Sequence, residues 1–311
     1  MLSTGREDGK PEASMGMSVK TYLILFSGVF ALSTSAIFVK TAEAPSSVIA
    51  FYRLFLAALV LTPAFLLCPR SRREIRIIRG RSWAKILAAG LFLALHYVMW
   101  FESLRFTSVA SSTVLVSLQP LFSLALERLI GKTKIKPTAM IGCVIALVGC
   151  VVIGFGDMRI SGKSLLGDVL AFAAAGVIAL YFFVGEKVRK DLSAVTYSTL
   201  SYFFSALVLF LYIGLRGDPL GGYTSSTWLS FAGLAVIATV GGQFIFNLLL
   251  KQVPASAVTM SILGEPIGTC ILAFFLLHET ISARQFAGIF VIMAGMIVFF
   301  SRPKKEAPVR P

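Results

Sequence analysis

Ten apolar blocks divide this chain, at residues 21–40, 46–68, 83–104, 109–126, 137–156, 165–185, 195–215, 226–250, 255–277 and 285–301. Each has the length a helix needs to cross the hydrocarbon of a bilayer, roughly 17 to 25 residues. The connections are short, so no soluble domain fits between the blocks. Within a block apolar residues occur on every side, without the alternation of an outer-membrane barrel strand, and a helix is then the structure that satisfies its own backbone hydrogen bonds in lipid. Only 14% of the residues are charged, where a soluble domain carries about 25%. An ordinary soluble enzyme is excluded, and the expected class is an all-α integral membrane protein with ten transmembrane helices.

Residues 1–20 are polar and mixed in charge, and the block after them is longer than a signal-peptide core and lacks a small-residue cleavage site, so it reads as a retained first span. Cys68, Cys143, Cys150 and Cys270 all fall inside blocks. They show neither metal spacing nor a disulfide framework and read as core packing.

A net charge of +14 invites a nucleic-acid reading, but the positions of the charges remove it. With the N-terminus inside, 22 Lys and Arg fall on the inner side and six on the outer, with Arg53 inside a span. The positive-inside rule then places both termini, the tail 1–20 and the basic tail 302–311, in the cytoplasm of a cell (inner) membrane protein.

The two halves resemble each other. An ungapped offset of 146 residues lays 97–150 over 243–296, pairing Pro120 with Pro266, Thr113 with Thr259, Gly142 with Gly288 and Gly149 with Gly295. Five spans per half is an odd number, so the repeats 21–156 and 165–301 are expected to be inverted, a common plan for secondary transporters. Both prolines are expected about 15 Å deep, at the midplane. A proline inside a helix frees carbonyls that can face a cavity, although a packing kink is the alternative. The small-residue faces around Gly142 and Gly149 also offer a contact for a homodimer.

Specific runs carry a family resemblance. Trp100 to Pro120 (WFESLRFTSVASSTVLVSLQP), Leu250 to Val258 (LKQVPASAV) and Leu263-Gly264-Glu265-Pro266 resemble the ten-helix EamA branch of the drug/metabolite transporter superfamily. Arg53 in Phe51-Tyr52-Arg53-Leu54, the run Ser33 to Lys40 and His278-Glu279 also fit. The resemblance implies two five-helix repeats, cytoplasmic termini, and a cavity lined mainly by helices 1, 3, 4, 6, 8 and 9. It also implies export of a small metabolite, often an amino acid or derivative, without ATP. One departure is Lys132-Thr133, where the family usually carries Gly-Glu. The resemblance therefore implies no gating acid at that place in this chain.

An ionisable residue within a span is a candidate for function, because lipid penalises it unless it is paired or faces water. Glu265, beside Pro266, can carry a proton or bind a substrate amine; alternatively it caps backbone groups freed at the break. Its repeat mate is the neutral Gln119. Arg53 and His96 share a depth of about 10 to 12 Å, which permits one polar patch. Arg53 reads as a structural charge paired with helix-end carbonyls or snorkelling outward, and His96 as either a proton-exchanging group or a buried neutral imidazole. Gln243 and Asn247, four apart, share a helix face, as do His96 and Trp100. Amides suit a zwitterionic or hydroxylated solute, and they also hold helices together. Tyr97, Trp100, Phe101 and Tyr181 offer aromatic walls, and Ser33 a hydroxyl on the first helix. Glu102 reads as a surface ion pair with Arg105.

The substrate-binding set is thus Glu265, Gln119, His96, Trp100, Gln243, Asn247, Tyr181 and Ser33, with Pro120 and Pro266 as helix breaks. No metal or cofactor is implied; proton coupling is an option, and the expected partners are a small-molecule substrate and membrane lipids. Gly154-Phe-Gly-Asp157 matches the GxGD pattern of intramembrane proteases, but no second aspartate supports a shared-proton dyad. Neither a zinc-hydrolase nor a phosphate-loop pattern occurs. Sparse polar residues argue for an occluded site over a continuous pore. The expected function is a secondary transporter exporting a small polar or amphipathic metabolite by alternating access. The alternative is an uptake carrier for a vitamin, nucleoside or other nutrient.

Overall fold

The computed structural model describes residues 18–107, 109–154, 164–277 and 282–301. Residues 1–17 and 302–311, Asp157, and the His278-Glu279 pair lie outside the described residues.

Helices α1 (Val19–Thr41), α2 (Ser46–Leu67) and α4 (Gly80–Phe106) run through the first three apolar blocks, and the short polar α3 (Pro69–Ile77) lies between α2 and α4. The fourth block is not one helix. It is divided into α5 (Val109–Val116) and α6 (Gln119–Leu129), and the half closes with α7 (Pro137–Gly154). The second half begins with α8 (Ser164–Val188) and α9 (Ala194–Arg216). Its third helix is α10 (Ser225–Gly233), a π-helical segment (Leu234–Gln243) and α11 (Phe244–Leu249) in succession. The ninth block divides into α12 (Ala255–Ile262) and α13 (Glu265–Leu277), and α14 (Ala283–Phe300) ends the described chain. Among the described residues, eight helical stretches are long and apolar enough to cross a membrane.

Local chemistry sets the ends. Ser18, Ser193, Thr224 and Ser282 each sit just before a block and accept a backbone N–H of the first turn, satisfying a donor the helix leaves open. Gly217 ends α9 at φ 69°, in the left-handed region that favours glycine.

The two broken helices divide at equivalent places. α5 and α12 begin and end 146 residues apart, and α6 and α13 also start 146 apart. At both breaks the chain tightens to i→i+3 hydrogen bonds, Leu118 N–H to Leu115 O and Gly264 N–H to Ser261 O. One cause serves both: Pro120 and Pro266 have no N–H to give and crowd the turn before them.

Packing repeats with the halves exchanged. α4 against α8 is matched by α1 against the π segment, and α4 against α9 by α2 against the π segment. α1 against α13 is matched by α8 against α6, and α2–α9 and α7–α14 correspond to themselves, whereas α6–α12 has no comparably extensive counterpart between α5 and α13.

The α7–α14 seam is the closest. A Cβ on Gly142 would lie 2.4 Å from the Phe299 backbone nitrogen, and one on Gly295 2.4 Å from that of Ala146. The small-residue face around Gly142 and Gly149 is therefore covered by Gly288 and Gly295 of the same chain. It is not free for a second copy, which corrects the dimer contact expected there. Cys143 and Cys150 are buried in the same apolar cluster, which also takes in Leu118 and Leu263, one from each break. That shared cluster brings the two breaks together.

Candidate functional site

Arg53 is at the centre of the polar residues and is only 3% exposed. Its Nε donates to Thr239 Oγ1 at 2.9 Å and its Nη1 to Ser35 Oγ at 2.8 Å. Its guanidinium carbon lies 5.1 Å from the centroid of the Tyr97 ring, a cation–π distance. Four elements thus hold one charge: α1, α2, α4 and the π segment. The partners are hydroxyls and a ring face, not the helix-end carbonyls expected from the sequence. Among the described residues Nη2 makes no hydrogen bond, so the guanidinium keeps one donor edge unspent.

The π segment explains why Thr239 is available. Its hydroxyl donates to Leu234 O, five residues back, at 2.8 Å, and a wider helical turn displaces side chains from their 3.6-residue register. Close approach to α1 is permitted by Gly242, whose added Cβ would lie 3.1 Å from Gly28 O.

Glu265 interacts electrostatically with Arg53 across the site without closing to a salt bridge. The residue as a whole is partly buried, and its carboxyl has no hydrogen-bond partner among the described residues. It therefore does not cap the backbone groups of the break. Only its backbone carbonyl is engaged, accepting Ser33 Oγ at 3.1 Å. Ser33 also donates to Val29 O and faces Gly268, where an added Cβ would lie 2.2 Å from Ser33 Oγ. The hydroxyl of Ser33 thus joins α1 to α13. Gln119, the repeat mate, is buried and makes no side-chain hydrogen bond among the described residues. Pro120 is buried and Pro266 partly buried, so neither is turned fully outward.

A second group adjoins this one. The side-chain nitrogen of Asn247 donates to Tyr181 OH at 2.6 Å and is also near Ser198 Oγ at 3.0 Å and Tyr202 OH at 3.2 Å. Asn247 Oδ1 and Gln243 Nε2 are buried without partners. Tyr202 links the groups, interacting electrostatically with both Tyr181 and Arg53. His96 lies beside Tyr97, and its Nδ1 is 3.0 Å from Ala174 O. A carbonyl only accepts, so Nδ1 carries the proton. Trp100 stacks on His96 at 5.9 Å and leaves its indole N–H buried and unpaired. Such orphaned groups are costly unless a solute or water completes them.

Polar networks secure both ends of the bundle. At one, Glu102 accepts Arg105, Arg216 and Tyr212, each at 2.9 Å, and Arg216 reaches Asp218 at 3.1 Å. Glu102 therefore joins α4 to α9 as well as pairing with Arg105. A cavity of about 10 Å³ between Glu102 and Tyr97 has room for about one water. At the other end, Glu127 accepts the Ser256 N–H at 2.8 Å and its hydroxyl at 2.9 Å, and Glu186 accepts the Ala255 N–H at 2.9 Å. These carboxylates cap the start of α12. Sequence reasoning missed Glu127, Glu186, Thr239 and Ser35. Only Thr239 left a signal, four residues before Gln243 and eight before Asn247.

A groove of about 450 Å³ between α1, α13 and α14 adds an apolar feature, lined among others by Phe26, Gly264, Gly268 and Met296.

Membrane-length helices, two of them broken at equivalent places, around an arginine and an unpaired carboxyl define a polytopic membrane transporter. The model of the EamA-like transporter family matches residues 19–155 and again 165–301. The chain belongs to that family, of the drug/metabolite transporter type. It is 26% identical over 251 residues to the uncharacterized transporter YwfM of Bacillus subtilis, covering 78% of this chain and 81% of that protein. It is 24% identical over 201 residues to the riboflavin transporter ImpX of Fusobacterium nucleatum, covering 62% and 67%. A crystal structure at 17% identity superposes with a TM-score of 0.78, covering 91% of this chain and 96% of that one, which shows the shared fold. Family and relatives point to a transporter rather than an enzyme.

Proposed function

We propose that the protein is a secondary carrier that exports a small polar or amphipathic metabolite, an amino acid or derivative, by alternating access. The observation that carries this reading is the opposition of Arg53 and Glu265 beside a helix break. Arg53 keeps one donor edge free and Glu265 has no hydrogen-bond partner. A zwitterion completes both, its carboxylate on the guanidinium and its ammonium on the carboxyl, while Trp100, Gln243 and Asn247 offer further unpaired groups.

Residues 21–156 and 165–301 act as two inverted five-helix halves, ten spans in all, which rock about the breaks. The packing repeat supports that plan, because the one unmatched contact, α6–α12, can be exchanged for its repeat equivalent, α5–α13, in the opposite state. The charge bias supports a cytoplasmic location for residues 1–20 and 302–311 at the inner membrane. Glu265 carries protons if transport is proton-coupled. The riboflavin transporter among the relatives favours a second reading, uptake of a vitamin or other nutrient by the same machinery.

Purified carrier in proteoliposomes tests the proposal, with solutes chosen by a thermal-stabilisation screen. Saturable uptake that accelerates when vesicles are preloaded with the same solute is expected. Flux that never saturates indicates a pore, and product without flux an enzyme.

A further inference from the structure

The short helix α3 is outside the substrate site, and its charge is unusual even for this basic chain. Arg70, Arg72, Arg73, Arg76, Arg79 and Arg81 are six exposed cations in twelve residues, from α3 into the first turn of α4. The buried residues of α3 are Ser71 and Glu74. At 3.6 residues per turn these define one face, and Arg72, Arg73 and Arg76 share the opposite one.

The inner face is anchored. Glu74 accepts the Ser193 N–H at 2.9 Å, the Ser193 hydroxyl at 2.7 Å and the Thr196 hydroxyl at 2.6 Å, and pairs with Arg70 at 2.9 Å. Ser193 is the N-cap of α9. Nearby, the buried Arg189 donates to the carbonyls of Leu192 and Asn247. α3 is therefore docked on the bundle with its arginine face turned away. Leu66, Leu67 and Ile77 beside it are exposed, and Trp83 stands half-buried in the first turn of α4. Exposed apolar residues and a tryptophan are the signature of headgroup depth. A helix with a polybasic face at that depth meets anionic lipid and is attracted to it.

We propose that the outer face of α3, built by Arg72, Arg73 and Arg76, is a docking surface for anionic phospholipid headgroups. Occupancy stabilises the folded carrier through the Glu74 anchor on α9. The proposal requires a membrane setting but no particular substrate.

The test compares thermal unfolding of the full-length protein in phosphatidylcholine vesicles with and without phosphatidylglycerol. Phosphatidylglycerol is expected to raise the melting temperature by several degrees, and high salt to erase most of that rise. The R72Q/R73Q/R76Q variant is expected to match the wild type in phosphatidylcholine alone and to lose most of the phosphatidylglycerol shift. An undiminished shift in the variant overturns the proposal. So does a wild-type shift indifferent to salt, a readout that stands even if the variant does not fold. Equal stabilisation by soluble glycerol phosphate also overturns it, because the face would then bind free anions and not a lipid surface.

Discussion

Arg53 holds its charge inside the bundle with two hydroxyls and a ring face as its contacts among the described residues, and Glu265 opposite but not in ion-pair contact. Such an arrangement leaves the charge undercompensated, which suits a site that binds and releases an anion better than a fixed ion pair would. Arg53→Gln should weaken binding of a carboxylate-bearing substrate about 10- to 100-fold, corresponding to about 1.5–3 kcal/mol for a hydrogen bond to a charged group; a binding titration by thermal shift measures it. Glu265→Gln keeps the shape but cannot exchange a proton. Counterflow should persist only at raised substrate concentration, because the ammonium loses its carboxylate partner, while the component of flux driven by a pH gradient disappears; a pH-driven component equal to the wild type removes Glu265 from coupling. Glu74 behaves differently because it is outside the spans. Burial pushes its carboxyl upward, but the Thr196 and Ser193 hydroxyls, the Ser193 amide and Arg70 outweigh burial and hold its pKa below the usual range. A carboxylate depressed by folding stabilises the protein above its unfolded pKa of about 4.5, and that stability is lost as the pH falls toward its folded value. Glu74→Gln should lower stability by about 1–3 kcal/mol at neutral pH and flatten the acid limb of a melting-temperature profile.

Among the elements, close helix packing is the most exposed to substitution. Gly295→Leu places a side chain where even a Cβ lies 2.4 Å from the Ala146 nitrogen, and overpacking of this kind costs about 1–3 kcal/mol or more. Gly221→Ala, with nothing within 4 Å of the added carbon, is the neutral comparison. A melting curve for each in detergent checks the contrast, and equal curves would show that the seam is looser than described. The apolar blocks foretold these elements closely: the first, placed at 21–40, is Val19–Thr41, and the seventh, placed at 195–215, is Ala194–Arg216. Span length and proline chemistry are local properties, and hence readable. The π segment was not, because a 3.6-residue period cannot register a change to a wider turn. Thr239 therefore escaped notice beside Gln243. Glu127 escaped for another reason: at a span edge it resembles any interfacial charge, and its partner Ser256 is 129 residues away.

For the molecule as a whole, the proposed rocking requires that contacts between halves break at one end while those at the other hold. Glu102 and Arg216 bind α4 to α9 across the halves. A short bis-maleimide joining E102C to R216C in an otherwise cysteine-free carrier should stop counterflow, and cleavage of a reducible version should restore it; unimpaired exchange in the joined protein would contradict rocking at that end. Interdigitated glycines leave α7 and α14 no such freedom. Those two helices end their respective halves and meet with backbone nearly touching backbone, so sliding one along the other would collide at every turn. They form a keel, and any engineered tether, label or affinity handle that must leave turnover untouched belongs there.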